Sequence, residues 1–138
     1  MTPIKVNKRP KQRGVELILT IPGSVPSLKN GKEIAMKSNG QRFVRSNDKV
    51  LAWKRMATTL LRQQFHGYKV TGYPITVELT FWHSNNIRKD LDNSAAGVMD
   101  ALRDAGVIED DSVQFVNKLI LHYGGLDKER PRVEIRLC

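Results

Sequence analysis

The clearest pattern along the chain is a strict alternation of apolar and polar side chains over residues 75–82, which is typical of a half-buried strand. Residues 33–37 and 41–45 flank the turn sequence Ser38-Asn39-Gly40. Because Asn-Gly readily adopts the positive φ angles of a tight turn, these two segments are predicted to form a hairpin. Three more segments are rich in β-branched and aromatic residues and are predicted as strands: residues 15–21, 113–123 and 132–137.

Two stretches change to the apolar spacing of a helix. Between residues 46 and 65, apolar side chains recur at i, i+3 and i+4, and Ser46 or Asn47 is a suitable N-cap. The second stretch runs from about residue 94 to 105, with Asp92 or Asn93 as the expected N-cap and Gly106 just past its end. On this second helix, Asp100 and Asp104 are expected to lie on the solvated face.

The order of these elements predicts one small α/β or α+β domain with a mixed β-sheet and two main helices. Strand 75–82, helix 94–105 and strand 113–123 form a βαβ unit, whose two strands should be parallel. The loop 124–131 is expected to connect the last two strands as a hairpin. Residues 1–14 lack hydrophobic periodicity and are predicted to be a flexible basic arm, so the folded domain should span residues 15–138.

The charge of the chain gives a first indication of function. The sequence has 23 Lys and Arg and 14 Asp and Glu, for a net charge of +9. Residues 1–66 hold fourteen of the basic residues and only three of the acidic ones. A surface of this kind attracts polyanions, and nucleic acid is the commonest of them, although a general surplus for solubility is the alternative. The lone cysteine and the lack of an apolar run of about 18 residues favour a cytosolic protein that is not associated with a membrane.

The predicted hairpin concentrates part of this positive charge. A two-stranded basic ribbon is a plausible contact for nucleic acid, though a merely solvated hairpin is nearly as plausible. Its basic residues are Lys32, Lys37, Arg42 and Arg45. The predicted DNA-binding set also includes Lys29, Arg88 and Lys89.

Acidic residues cluster between positions 90 and 111, where they suggest a cation site within a basic protein. Asp90 and Asp92 are two residues apart, so in an extended chain both side chains leave the same face. Asp111 lies at the start of the returning strand, at the opposite end of a βαβ unit, which argues against a simple meeting with that pair. If the three carboxylates do meet, they suit Mg²⁺ or Mn²⁺ far better than zinc. Ordinary helix capping is the alternative for Asp92.

The segment Arg88-Lys89-Asp90-Leu91-Asp92-Asn93 is followed by Asp100-Ala101-Leu102, Gly106 and the paired Asp110-Asp111. This spacing resembles the RusA family of Holliday-junction resolvases, which are small phage and bacterial crossover junction endodeoxyribonucleases. The resemblance covers about residues 15–137. It implies a homodimer in the cytoplasm of a bacterial or phage-infected cell that cuts four-way DNA with Mg²⁺. The aspartates that would hold this metal are Asp90, Asp92 and Asp111.

One position departs from the family pattern. Where the family usually carries a lysine one helical turn after Asp-Leu-Asp-Asn, this chain has Ala96. Lys89 or Lys118 could substitute for that cation, and Lys118 is therefore included among the candidate catalytic residues. Three functions remain open: an active junction endonuclease, a catalytically weakened or inactive junction-binding relative, and a basic structural or partner-binding protein.

Overall fold

The computed structural model describes residues 16–26, 32–46, 48–66, 70–86 and 89–138. The predicted arm of residues 1–14 lies outside these ranges. Within them the elements follow the order β1 (Leu17–Pro22), β2 (Lys32–Met36), β3 (Arg42–Ser46), α1 (Asp48–Gln64), β4 (Ile75–His83), α2 (Leu91–Asp104), β5 (Val116–Leu126) and β6 (Arg132–Leu137). Each predicted strand and both predicted helices are thus confirmed, with boundaries that move by up to three residues.

The main sheet has four strands in the order β1-β6-β4-β5, and β2 and β3 form a separate two-stranded sheet. β4 and β5 are parallel, as the βαβ prediction requires, whereas β6 is antiparallel to both β1 and β4. The sheet is therefore mixed, and with two helices it gives the predicted α+β fold.

The expected hairpin between the last two strands is wrong. β6 does not pair with β5; it lies between β1 and β4. The burial of the two strands gives the physical reason. Val133, Ile135 and Leu137 of β6 are fully buried, so this strand gains most from a central position, whereas Val116 is the only buried residue of β5.

The helices cover one face of the main sheet. Ile75, Val77, Leu79 and Phe81 of β4 are buried, and they belong to the same apolar core as Trp53, Ala57 and Leu61 of α1 and Val98 and Leu102 of α2. Between the two helices, Lys54 Nζ lies 3.3 Å from Asp100 Oδ2, and Arg62 Nη2 donates to the Asp104 carbonyl oxygen at 3.0 Å. These two contacts fix the helices side by side, so that the starts of α1 and α2 lie at the same end of the layer.

The ends of α2 differ partly from expectation. Asp90 rather than Asp92 or Asn93 is the N-cap residue, so the helix begins earlier and includes Asp92 in its first turn. At the other end Gly106 takes a φ of +75°, and its N–H donates to the carbonyl oxygen of Arg103 at 3.0 Å. A side chain at that φ would be strained, which is why glycine ends the helix here.

The face of the sheet away from the helices carries a contact that needs a glycine. The Trp82 ring lies over Gly124, where an added Cβ atom would stand only 2.7 Å from Trp82 Nε1. The Arg132 guanidinium lies over the same ring, 4.1 Å from its centroid. Trp82 therefore packs within its own chain, between neighbouring strands.

Candidate functional site

The start of α2 carries two carboxylates, that of Asp90 at the N-cap and that of Asp92 in the first turn. Both side chains are exposed. Asp92 Oδ1 accepts a hydrogen bond from the Asn93 N–H at 3.0 Å, and Asp90 Oδ2 accepts one from Asn93 Nδ2 at 3.3 Å. Asn93 therefore orients both carboxylates, while their remaining lone pairs stay available to a ligand.

A groove of about 350 Å³ runs between α2 and β5 and brings Asp92 and Asp111 to one surface. Its walls are mainly apolar, and three carboxylates border it. The lining residues are Asp92, Ala95, Ala96, Met99, Asp100, Asp111, Val116, Leu119 and Leu121.

Asp111 reaches this groove from the turn that follows α2. Its Oδ1 lies 3.8 Å from Arg103 Nη1, in the last turn of the helix. Neighbouring Asp110 accepts hydrogen bonds from the Asp111 N–H and the Ser112 hydroxyl, which together hold its pKa below the usual value. Asp92 borders the groove from the start of α2 and Asp111 from the turn that follows the helix, so the two carboxylates share one surface although the βαβ unit separates them along the chain.

The sequence did not predict that Asp100 borders the groove, because this residue was expected on the solvated face of α2. Its side chain is 27% exposed, lines the groove and pairs with both Lys54 and Arg103. The signal was present in the sequence, because positions 92, 96 and 100 are successive i, i+4 neighbours and therefore share one helix face. The apolar floor supplied by β5 had no comparable signal.

The donor set of the groove fits a hard divalent cation. Aspartate oxygens are the ligands that Mg²⁺ and Mn²⁺ prefer, and Mg²⁺ commonly uses only one or two carboxylates together with water. Across the described ranges, no group of three or more His, Cys, Asp or Glu stands close enough to hold a metal ion. Asp92 and Asp111 line the groove and are the candidate ligands, whereas Asp90 is not among its lining residues and lies next to Asp92 at the start of α2.

Lys118 and Ala96 lie on different sides of the sheet. Ala96 is exposed and borders the groove. Lys118 pairs in register with Thr76 and lines a different cavity, beside Tyr73, Asn117 and Cys138. Since side chains alternate along a strand, Lys118 leaves the sheet on the face opposite Leu119, which lines the groove. The structure therefore does not bring Lys118 to the carboxylates.

Lys89 precedes the first carboxylate and is partly buried. Burial lowers its pKa, and the positive charge of nearby Lys49 adds to this effect. Lys89 in turn helps to lower the pKa of His83, whose burial is the larger cause. A basic cluster thus lies at the end of β4 next to the start of α2.

The hairpin places two of its predicted DNA contacts on the surface. Lys37 and Arg42 are exposed, and Lys37 Nζ lies 6.0 Å from the centroid of the Phe43 ring. In the turn only Gly40 has a positive φ, of 85°, while the Asn39 side chain accepts a hydrogen bond from the Gln41 N–H. Lys32 and Arg45 belong to β2 and β3, but their side chains lie outside the described part of the chain, as do Lys29 and Arg88.

No helix among the described residues combines the length and apolar character needed to cross a membrane.

Comparison with known proteins gives a consistent result. The crossover junction endodeoxyribonuclease RusA of Aquifex aeolicus (strain VF5) is 34% identical over 67 residues, which cover 49% of this chain. The chain thus spans about half, 52%, of the length of that curated relative. The profile of the family described as endodeoxyribonuclease RusA matches residues 25–138, which include α1, α2, the whole groove and the carboxylates on it. A match over this share of the sequence shows that the chain belongs to the RusA family of endodeoxyribonucleases.

Proposed function

We propose that this chain is a metal-dependent endonuclease that cuts branched DNA, with the four-way Holliday junction as its substrate. The observation that carries the proposal is the groove between α2 and β5, bordered by Asp92 and Asp111, within the region that matches the family. An acidic groove in a protein of net charge +9 is an arrangement suited to phosphodiester chemistry. The basic surface attracts the DNA, while the carboxylates would hold the cation.

Asp92 and Asp111 would bind Mg²⁺ or Mn²⁺, with Asp90 next to Asp92 at the start of α2. When bound, such a cation polarises a phosphoryl oxygen and lowers the pKa of a bound water. Asn93 contributes by holding Asp90 and Asp92 in place through the two hydrogen bonds described above. Lys89, next in sequence to Asp90, supplies positive charge at the start of α2, where it would offset the charge of a DNA phosphate.

The proposed assembly is a homodimer. A four-way junction must be cut on two opposed strands to be resolved, and two copies related by a twofold axis present two equivalent grooves to such a substrate. Sedimentation of the protein with and without junction DNA measures this assembly directly.

The decisive experiment is cleavage of an end-labelled four-way junction in Mg²⁺, with a chelator-treated reaction and a linear duplex of the same sequence as controls. Paired, symmetric nicks that need the metal and are absent from the duplex support the proposal. Equal cutting of junction and duplex, or cutting in the presence of chelator, refutes it.

A second function, favoured by Ala96 alone, is a junction-binding relative with little or no turnover. At this position the groove has a methyl group where the resemblance to the family implies a lysine. The same reactions separate the two functions, because the weakened relative binds the junction in a gel-shift assay but leaves it uncut in Mg²⁺.

A further inference from the structure

The outward side of α1 carries an open basic cleft of about 360 Å³ that the proposed function does not yet use. We call it the α1 cleft. It is lined by Lys54, Arg55, Thr58, Thr59, Arg62 and Asp104. Three cations thus face one carboxylate, and Thr58 adds a hydroxyl group.

Two of these cationic side chains connect α1 to α2 but still have hydrogen-bond donors available to a ligand. Lys54 is bonded to Asp100 and Arg62 to the Asp104 carbonyl oxygen, each through a single nitrogen. A lysine ammonium has three N–H donors and a guanidinium has five, so most of them remain available. Arg55 is exposed, and its side chain makes no hydrogen bond or ion pair with another residue in the described ranges.

The α1 cleft adjoins the groove that carries the candidate metal ligands. Lys54 lines the cleft, Asp100 lines the groove, and these two side chains form the 3.3 Å ion pair between the helices. A molecule bound along the cleft is therefore separated from the groove only by the width of α2.

We propose that the α1 cleft binds the phosphate backbone of a DNA arm next to the cut site. This inference rests on the proposed function and adds a surface to it. Arg55 and Arg62 are seven residues apart, so they lie on the same helix face about 10.5 Å from each other along the axis. At that spacing the two long guanidinium side chains can contact separate phosphates of one DNA backbone. One guanidinium group can donate two parallel hydrogen bonds to the oxygens of a phosphate. Such a contact positions the DNA without recognising its base sequence.

The test measures junction affinity as a function of salt, in chelator so that no cutting occurs. Arg55→Ala is compared with Lys128→Ala, which removes the same charge from an exposed position in the loop between β5 and β6. A lost phosphate contact should lower the slope of log Kd against log salt by about 0.9, and the Arg55→Ala/Arg62→Ala double variant should lower it by about twice that. Lys128→Ala should leave the slope unchanged.

Each outcome decides something different. A parent protein that binds neither junction nor duplex overturns both the proposed function and the role of the α1 cleft. A parent that binds DNA with the same slope as Arg55→Ala overturns the role of the cleft alone, as it would if the cleft bound a protein partner instead. Because Arg62 also bonds to α2, melting curves check the double variant, and the single Arg55→Ala variant decides the matter if the double variant does not fold.

Discussion

A lysine at position 96 should raise the rate of DNA cleavage. Ala96 is exposed on the α2 wall of the groove, one helical turn after Asp92. A lysine side chain there can extend along the groove without displacing any core residue, since buried Ala95 and Val98 point elsewhere. Its ammonium group would lie among carboxylates and beside the phosphate that the proposed function brings to them.

The size of the effect follows from the exposure of the site. One well-placed donor in a sheltered active site is worth about 10²- to 10³-fold in rate. Because the groove is open and position 96 is exposed, screening should reduce this to about tenfold, which corresponds to roughly 1.4 kcal/mol. The effect on folding should be near zero. The helix propensity of lysine costs a few tenths of a kcal/mol relative to alanine, and an i, i+4 pair with Asp92 returns about 0.3–0.5 kcal/mol.

The assay is single-turnover cleavage of a four-way junction at saturating protein, with Ala96→Gln as a neutral control of similar length. Ala96→Lys should cut about tenfold faster than both the parent and the glutamine variant, with a melting temperature within about 2 °C of the parent. Equal rates for the lysine and glutamine variants would refute the reasoning. In that case Lys89→Ala should slow cleavage more than it weakens binding, if Lys89 already provides the cation.

Four further predictions test the site and the fold. Asp92→Asn should abolish cleavage in Mg²⁺ while junction affinity stays equal or improves, because the amide keeps the shape but removes both a metal ligand and a repulsive charge; a variant that cuts at the parental rate contradicts the metal site. The four basic residues of the hairpin are Lys32, Lys37, Arg42 and Arg45. Neutralising all four should weaken junction binding and reduce its salt dependence, which is checked by measuring affinity at several salt concentrations. Gly124→Ala should destabilise the fold by about 1–3 kcal/mol in urea unfolding, because the new methyl group displaces the Trp82 ring, whereas an unchanged midpoint would mean that the ring moves freely. The hydrogen bond with His122, with help from the charge of Arg136, lowers the pKa of Glu78. The ionised Glu78 therefore contributes to stability fully above about pH 4.5, and this contribution is lost as the pH falls through the lowered pKa. In thermal melts between about pH 5 and 3, Glu78→Gln should lose less stability on acidification than the parent.

Local sequence patterns were sufficient for the elements of this fold. The alternation in β4 and the apolar stripe of α2 identified a parallel βαβ unit, because side-chain period alone distinguishes a half-buried strand from an amphipathic helix. The motif around Asp90 and Asp92 located one end of the candidate site, since neighbours in sequence at a helix start are also neighbours in space. Gly106 marked the end of α2, because its positive φ is a local requirement.

Sheet order was decided by the tertiary structure. A hairpin was expected between β5 and β6, which are consecutive along the chain, yet the fully buried Val133, Ile135 and Leu137 place β6 in the middle of the sheet. The gain from burying three apolar side chains on a central strand exceeds the small entropic advantage of a short connection. Polar residues and two adjacent glycines in β5 are consistent with its place at the edge.

Sequence alone named the candidate residues for the chemistry of this protein, and tertiary structure decided which of them share a surface. Asp92 and Asp111 are named by a linear motif, but only the packing of α2 against β5 gives them one groove. Lys118 was a candidate replacement for the lysine absent at position 96, and the face of β5 from which it projects separates it from that groove. The physical reason is that distance in sequence fixes proximity only within one helix or strand, whereas proximity between elements depends on which apolar faces become buried together.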